Sequence, residues 1–192
     1  MSLRERNRRN TLVVTQRTAV ELFVARGFDQ VKVVEIAAAV GMAPSTLYRY
    51  FPTKEAIVLW DEYADEYSAA MEEALTRLPP FAALREAFAS GLAGRYESDA
   101  EFQLQRMTLI YQTPALHPAA TEAYFADHEE LTTLLEPHLS AKHRAAASLL
   151  ASAALLAAEW AVDQWQATAA ARPLGELVAE AFDHLSQLDE LA

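Results

Sequence analysis

The sequence has 192 residues, of which 52% are apolar, no cysteine and a formal net charge of -11. A chain of this size can bury a hydrophobic core, and the lack of cysteine excludes disulfides and thiolate metal sites. The first ten residues are basic, but no apolar run or cleavage site follows them, so we expect a cytoplasmic protein without a secretory signal.

The charge is distributed unevenly along the chain. Residues 1–54 hold nine Lys or Arg against four Asp or Glu, a net charge of +5, and the remainder holds seven against 23, a net charge of -16. A basic end attracts a polyanion such as nucleic acid, and an acidic body repels it and orients its approach. A solvated basic tail is the alternative interpretation.

Residues 11–27 are predicted to form the first helix. Thr11 can cap its start, Gly27 can end it, and small or apolar side chains recur with helical spacing. They are Leu12, Thr15, Ala19, Leu22 and Phe23.

Two short helices follow. The apolar spacing in residues 33–40 predicts the second helix, which Gly41 ends with a left-handed turn. Pro44 suits the first position of a third helix, which must end before Pro52. Two short helices joined by a tight turn form a helix-turn-helix unit.

Residues from about 9 to 60 resemble the amino-terminal DNA-binding domain of the tetracycline-repressor (TetR) family of transcriptional regulators. The resemblance rests on residues that follow the family order without a gap: Leu22/Phe23, Gly27/Phe28, Ile36/Ala37, Gly41, Thr46/Leu47/Tyr48, Tyr50/Phe51 and Lys54/Glu55. Three departures concern helix caps and one helix face. Lys32 and Ala43 replace capping residues, and Thr15 and Gln16 stand where helix one is normally apolar.

The third helix is predicted to carry the DNA-reading surface. Leu47 and Phe51 face inward, which leaves hydroxyl, tyrosine and arginine side chains outward to contact bases or phosphates. The resemblance implies that Tyr48, Tyr50 and Lys54 bind phosphates, and Ser45, Thr46 and Arg49 are candidates for base contact. Packing is the alternative for Tyr48, and pairing with Glu35 or solvent is the alternative for Arg49. The complete predicted set is Lys32, Pro44, Ser45, Thr46, Tyr48, Arg49, Tyr50 and Lys54.

The rest of the chain is predicted to be helical throughout. Thr53 can cap a long fourth helix that runs to the prolines at 79 and 80, and further helices are expected at about 81–96, 101–112, 118–136, 141–171 and 174–189. The predicted fold is therefore all-α. Residues 1–52 would form a three-helix DNA-binding domain with a basic N-terminal arm, and residues 53–192 a helical effector-binding and dimerisation domain.

The resemblance implies a small-molecule pocket in this second domain. The candidate lining residues are Trp60, Tyr63, Tyr67, Phe102, Met107, Tyr111, Tyr124 and Trp160. Ordinary core packing is the alternative for each. For His128 we favour a half-buried histidine with a backbone partner over ligand contact. Acidic residues on helices that carry these candidates, Glu62, Asp127 and Glu159, favour an effector with a positive charge. If these three face outward, a purely apolar pocket for a fatty or neutral aromatic compound is the alternative.

The last two helices are predicted to form a homodimer interface. Nine of the 17 residues from 145 to 161 are alanine, which permits close helix approach. The apolar run at 145–158 is too short to cross a membrane, so we expect a buried helix and no membrane partner. The predicted interface residues are Ala153, Ala157, Leu177, Val178, Ala181, Phe182 and Leu185. The alternative is that both helices use their apolar faces inside the monomer.

The sequence thus predicts a ligand-responsive repressor that a small-molecule effector releases from a palindromic operator. A helical small-molecule-binding protein or an enzyme without a DNA-binding role is the alternative. No nucleophile elbow, dinucleotide-binding, phosphate-loop or zinc-protease motif occurs in the sequence. We therefore expect no catalytic residue, no metal site and no cofactor.

Overall fold

The computed structural model describes residues 2–62 and 64–187, without the side chains of residues 65, 66, 92, 93 and 95. These residues form α-helices and short 3-10 turns with no strand, which confirms the all-α class. The helices are α1 (Leu3–Arg26), α2 (Val33–Ala39), α3 (Pro44–Tyr50), α4 (Lys54–Leu59), α5 (Ala64–Arg77), α6 (Pro80–Ser98), α7 (Ala100–Gln112), α8 (His117–Leu135), α9 (Ala147–Ala167) and α10 (Leu174–Ser186).

The chain divides into two compact units, which we describe separately. Unit 1 comprises residues 1–62 and 101–123, and unit 2 comprises residues 63–100 and 124–192. The division at residue 52 that the sequence suggests stays a prediction. The structural units add a later segment, which contains nearly all of α7, to the helices of the predicted DNA-binding domain.

The first helix begins eight residues before the position that we predicted. Ser2 caps α1, because its hydroxyl accepts a hydrogen bond from the Glu5 amide and the Glu5 carboxylate accepts one from the Ser2 amide. Thr11 lies inside the helix, where its hydroxyl donates to the carbonyl of Asn7 at 2.9 Å. The Ser-x-x-Glu spacing at residues 2–5 is a capping box that the sequence already contained. The basic arm is therefore the first turns of α1.

Two glycines end helices in unit 1 as the sequence predicts. Gly27 follows α1 with φ of 88°, and Gly41 follows α2 with φ of 68°. Both values lie in a region that side chains with a Cβ rarely adopt. The chain can therefore reverse between α1, α2 and α3 within a few residues.

The core of unit 1 joins helices that are distant in sequence. Phe23 and Phe28 pack with ring centroids 4.9 Å apart. Leu47 of α3 and Ile57 of α4 are completely buried in the same cluster. The cluster also includes apolar side chains from 102–116, namely Phe102, Leu109 and Leu116.

The predicted long fourth helix is wrong, because two helices replace it. Thr53 caps α4 as expected, with its hydroxyl accepting from the Ala56 amide at 3.1 Å. However, α4 ends at Leu59, Trp60 leaves the helical conformation with ψ of 129°, and α5 begins only at Ala64.

Unit 2 is built on contacts among α5, α6, α9 and α10. Phe182 of α10 is 1% exposed and packs against Phe81 and Phe88 of α6, with ring centroids 5.4 and 6.2 Å apart. Tyr67 of α5 packs edge-on against Phe88 at 5.1 Å. Since Phe182 contacts two rings of the same chain, α10 uses its apolar face inside the protomer.

The alanine-rich helix α9 is buried on one face. Its buried residues are Ala147, Ala151, Ala154, Ala157, Ala161, Val162 and Trp165. Among the described residues, 144–167 form the one segment long and apolar enough to cross a membrane, with a mean hydropathy of 1.6. Core helices meet the same criterion, and the small side chains let α9 pack closely against α10 and α6.

Candidate nucleic-acid interface

The α3 helix presents a polar surface on an apolar anchor. Leu47 is 0% exposed and Phe51 is 3% exposed, as the sequence predicts. Ser45, Tyr48 and Arg49 are exposed, and two further predicted residues, Thr46 and Tyr50, are half-buried. A helix of seven residues is too short to persist alone. Its orientation therefore depends on the packing of Leu47 and Phe51 in the core of unit 1.

The start of α3 has no side-chain cap. Ala43 occupies the cap position and makes no such hydrogen bond, and the exposed Pro44 is the first helical residue. Proline has no N–H at a position where the helix would leave it unpaired, and its fixed φ suits this position. Pro44 thus compensates in part for the missing capping oxygen.

Glu35 performs the capping at the start of α2. Its carboxylate accepts a hydrogen bond from the backbone N–H of Lys32 at 2.8 Å and pairs with the Arg26 guanidinium at 2.7 Å. The hydrogen bond from the Lys32 backbone, followed by that from Arg26, holds the pKa of Glu35 below its ordinary value. The Lys32 side chain makes no cap contact and is exposed.

Arg49 does not pair with Glu35, which the sequence analysis named as one alternative partner. Glu35 is engaged with Arg26, and the Arg49 guanidinium lies 5.5 Å from the centre of the Tyr50 ring. This distance is within the range of a cation–π contact. Arg49 remains exposed beside Tyr50, so its donors are accessible to a base or phosphate.

Lys54, predicted to contact phosphate, is turned into the protein. Its ammonium donates to the carbonyls of Phe28 at 2.6 Å and Val31 at 3.2 Å, and it lies 4.1 Å from the centre of the Phe28 ring. Lys54 is the first residue of α4, and these partners lie in the turn before α2. The contact therefore connects the start of α4 to the turn that precedes α2.

Gln16 connects α1 to the other end of α4. Its side-chain amide donates to the carbonyls of Ile57 at 3.0 Å, Val58 at 3.2 Å and Trp60 at 2.6 Å. Gln16 is 3% exposed, although α1 normally has an apolar residue at this position in the proteins that the sequence resembles. The sequence marked Gln16 as unusual, but gave no indication of its partners.

Arg106 of α7 contacts the same end of α4. Its guanidinium donates to the carbonyls of Val58 at 2.7 Å, Leu59 at 3.2 Å and Trp60 at 3.3 Å. A fourth bond, at 3.2 Å, reaches the side-chain oxygen of Gln103. Arg106 is only 8% exposed. Sequence reasoning missed this residue, and the one available signal was that Arg106 shares helical spacing with the apolar Phe102 and Leu109.

The candidate effector residues do not converge on one described cavity. In unit 1, Trp60 packs edge-on against Phe51 at 6.0 Å, Phe102 lies under the Arg17 guanidinium at 4.4 Å, Met107 is half-buried and Tyr111 is exposed. In unit 2, Tyr67 contacts Phe88, Tyr124 contacts Phe125, and Trp160 contacts the ring of His184. Tyr63 lies outside the described residues. The assignment of these residues to a pocket stays a prediction.

His128 has the ordinary role that the sequence favoured. It is half-buried, and its Nε2 lies 3.1 Å from the carbonyl of Ser148 and 3.0 Å from the hydroxyl of Ser152. These contacts connect α8 to α9. They account for a polar group at this position without a ligand.

Unit 2 contains a groove of about 490 Å³ between α5 and α8. Three carboxylates border it together with apolar and hydroxyl side chains, and its lining is Ser68, Glu72, Ala126, Glu129, Glu130, Thr133 and Leu134. None of the described effector candidates is in this lining. The groove has the size of a small-molecule site and an acidic rim.

Most residues predicted for the dimer interface lie inside unit 2. Leu177, Val178, Ala181 and Phe182 of α10 are between 0% and 5% exposed, and Ala157 of α9 is 4% exposed. Their burial matches the alternative in which both apolar faces are used within the monomer. Ala153 and Leu185, which complete the predicted set, are half-buried.

The exposed side of α9 carries a second apolar stripe that the sequence analysis did not identify. Leu149 is 70% exposed and Leu156 is 58% exposed, and Ala153 and Trp160 are half-buried. These four residues follow i, i+4, i+7 and i+11 spacing and therefore share one face of the helix. We call them the α9 stripe. The sequence signal for this second face was the helical spacing of Leu149, Leu156 and Trp160 within the alanine-rich segment.

Comparisons with known proteins place the chain among transcriptional regulators. The family described as "Bacterial regulatory proteins, tetR family" matches residues 17–59, and the family described as "MftR C-terminal domain" matches residues 78–188. A mycofactocin biosynthesis transcriptional regulator, MftR, of Mycobacterium tuberculosis is 35% identical over 109 residues, which are 55% of this chain and 54% of that protein. The HTH-type transcriptional regulator TcmR of Streptomyces glaucescens is 34% identical over 121 residues, with coverage of 59% and 54%.

The chain thus spans about half the length of these two curated relatives. A solved structure extends the likeness over nearly the whole chain. It is FadR of Thermus thermophilus, a TetR family repressor in complex with lauroyl-CoA, with 25% identity, a TM-score of 0.54 and coverage of 93% of each chain.

We expect Lys54→Met to lower the melting temperature, because the Phe28 and Val31 carbonyls lose a charged donor and the contact with the Phe28 ring is lost. The expected cost is about 1–2 kcal/mol in the free energy of unfolding. Urea unfolding followed by circular dichroism measures it. Lys32→Met is the matched control, because it removes the same charge from an exposed side chain of the same unit. Equal stability of the two variants would contradict the role of Lys54 in holding the turn.

Proposed function

Because the chain belongs to the TetR family of transcriptional regulators, we propose that it is a repressor that binds operator DNA through α3 and leaves it when a small-molecule effector binds. The observation that carries the proposal is the outward set on α3, Ser45, Tyr48 and Arg49, held by the buried Leu47. The alternative of a helical carrier or an enzyme has no comparable support, since the matched relatives are regulators. Such a repressor acts in the cytoplasm, where it meets its operator.

The side chains of α3 support two kinds of DNA contact. An arginine can donate two hydrogen bonds to the O6 and N7 atoms of guanine, and a threonine can contact a thymine methyl group. Arg49 and Thr46 are therefore the candidates for base contact. Tyr48, Tyr50 and the exposed Lys32 are suited to phosphate oxygens, which set the register of the protein on the duplex.

The first turns of α1 add a sequence-independent attraction. Arg4, Arg6 and Arg8 are exposed on this helix. Arg9 is partly engaged, with its guanidinium 3.7 Å from the Glu62 carboxylate. Exposed arginines near a duplex displace condensed counterions, so their contribution falls steeply as the salt concentration rises.

Arg49→Gln and Arg8→Gln remove the same charge and should have different effects on DNA binding. We expect Arg8→Gln to weaken binding to all duplexes by a similar factor and to reduce the salt slope by about 1. Arg49→Gln should cost about 1–3 kcal/mol mainly on the preferred sequence, because it removes a base contact. Thr46→Ala should also act mainly on the preferred sequence.

Fluorescence anisotropy measures both effects at about 50 and 200 mM salt. The two probes are a duplex that the wild-type protein selects from a random library and an unselected duplex of the same length. Failure of the wild-type protein to enrich any sequence would overturn the proposed function. An identical loss of selectivity in Arg49→Gln and Arg8→Gln would overturn only the assignment of roles.

The α9 stripe is the surface that we assign to the homodimer. Leu149 and Leu156 are large apolar side chains at a high exposure, and Ala153 between them lets a second helix approach closely. A twofold axis places the same stripe on both subunits, so the surface complements itself. Two α3 helices that bind the two halves of a palindromic operator require such a pairing of subunits.

We expect Leu156→Asp to yield a monomer that binds the selected duplex weakly, because the dimer would have to bury an unpaired carboxylate. Light scattering gives the mass, and anisotropy gives the affinity. Phe182→Leu is the contrasting variant, since it changes the core of unit 2 and should lower the melting temperature while leaving the protein dimeric. A dimeric Leu156→Asp protein would exclude the α9 stripe as the interface.

The groove between α5 and α8 is our candidate for the effector site. Glu72, Glu129 and Glu130 would repel the phosphates of a CoA ester such as the one bound to the Thermus thermophilus repressor. They favour a lipophilic cation that can also contact Ala126 and Leu134. The acidic residues that first suggested a cation do not line this groove, and Glu62 pairs with Arg9 in unit 1.

A thermal-shift titration tests the charge preference. We expect tetraphenylphosphonium to raise the melting temperature in proportion to the logarithm of its concentration, because it binds the folded state alone. Glu129→Gln/Glu130→Gln should reduce this shift, and the exposed pair Glu21→Gln/Glu101→Gln serves as the control. Stabilisation by dodecanoate or lauroyl-CoA with no response to the cation would contradict the acidic effector site. It would not contradict the proposal that the protein binds operator DNA.

A further inference from the structure

The C-terminal end of α4 has an unusual set of partners. The last carbonyls of a helix have no donor within the helix, and buried ones need donors from elsewhere. In α4, side chains from two other helices donate to the carbonyls of four consecutive residues, Ile57 to Trp60. Gln16 comes from α1 and Arg106 from α7. Both donors are buried, so water does not compete freely for these carbonyls.

The buried Arg106 guanidinium needs the α4 carbonyls as hydrogen-bond acceptors, just as these carbonyls need its donors. Among the residues that the structure describes, the hydrogen bonds of its guanidinium go to uncharged oxygens, three backbone carbonyls and the amide oxygen of Gln103. A buried guanidinium is stable only while such acceptors remain in place. The negative end of the α4 dipole faces this charge. A displacement of α4 would leave the buried charge without its acceptors.

The other end of α4 is also held. Lys54 donates to the Phe28 and Val31 carbonyls, in the turn that leads into α2. The short helix α4 therefore connects the donors of α1 and α7 to the turn that precedes α2 and α3. A second contact, the Arg17 guanidinium over the Phe102 ring, holds α7 to α1 one helical turn before Arg106.

We propose that Arg106 is a positioning residue for DNA recognition, which fixes α4, and through Lys54 the orientation of α2 and α3, by capping the α4 carbonyls together with Gln16. The role rests on the proposed function, since it concerns the accuracy with which α3 meets DNA. A lysine cannot replace the arginine, because a single ammonium lacks the planar fork that reaches several carbonyls at once. A methionine fills the volume but leaves the carbonyls without a donor.

The test compares Arg106→Lys, Arg106→Met and Gln16→Met with Leu84→Ala. Leu84 is completely buried in unit 2, so its truncation lowers global stability without a change at α4. Hydrogen exchange by mass spectrometry reports the protection of residues 54–60 and of residues 177–182. Anisotropy reports the ratio of affinities for the selected and the unselected duplex under conditions in which every variant is folded.

We expect the Arg106 and Gln16 variants to exchange at least about tenfold faster in residues 54–60 but not in 177–182, and to lose at least about tenfold in the affinity ratio. Leu84→Ala should change neither the exchange of residues 54–60 relative to the rest of unit 1 nor the ratio of affinities for the selected and the unselected duplex. If Arg106→Met does not fold, Arg106→Lys and Gln16→Met decide the outcome. Wild-type protection of residues 54–60 and an unchanged ratio in these two variants would overturn the proposal.

The exchange measurement also separates the two possible failures. A wild-type protein that selects no duplex would refute the proposed function. In that case, the role of Arg106 in recognition would fall with the proposed function, whereas faster exchange confined to residues 54–60 in the Arg106 variants would still show that Arg106 holds α4. If the wild-type protein selects DNA and the variants exchange residues 54–60 as slowly as the wild type does, only the positioning role would be overturned.

Discussion

The carbonyls at the end of α4, which have no donor within that helix, are the constraint on which unit 1 depends. A helix of six residues offers little intrinsic stability, and here the residues that carry its C-terminal carbonyls are buried or half-buried. Gln16 and Arg106 satisfy them from helices that are far away in the sequence. The position of α4 therefore constrains how α1 and α7 pack. A helix that continued through residue 64 would use these carbonyls for its own backbone hydrogen bonds.

The α3 helix, which we propose to read DNA, is held by a small apolar core. The α3 helix depends on two inward side chains, Leu47 and Phe51, and most of its remaining surface is polar. In the proposed positioning role, the buried polar contacts around α4 add to the orientation that this small apolar anchor supplies. Since buried polar groups bind only in a narrow range of geometries, they specify one arrangement more strictly than apolar packing does.

Unit 2 divides its apolar residues between an interior and an exposed surface. Alanines line the buried face of α9 and permit close packing, whereas Leu149 and Leu156 stand on the opposite face. On α10 the aromatic Phe182 fills the space next to α6. Close packing in the interior thus leaves the leucines of α9, and not the apolar face of α10, available for association.

The sequence by itself determined the features that depend on neighbouring residues. Gly27 and Gly41 end helices because glycine adopts positive φ easily, Pro44 begins α3, and the spacing of Leu47 and Phe51 places both on one face. Local stereochemistry and helical periodicity were sufficient for these conclusions. The capping box at residues 2–5 also contained the start of α1, but the sequence analysis placed that start at Thr11 instead.

Only the tertiary structure decided which groups meet across long separations. Gln16 and its acceptors are 41 to 44 residues apart, and Arg106 and its backbone acceptors on α4 are 46 to 48 apart. Lys54 is drawn to carbonyls more than 20 residues before it, and Phe182 packs inside the protomer although its stripe equally suited an interface. An apolar or charged pattern shows that a face needs a partner. The partner is chosen by whichever buried surface and unsatisfied hydrogen-bonding group the folded chain brings next to it.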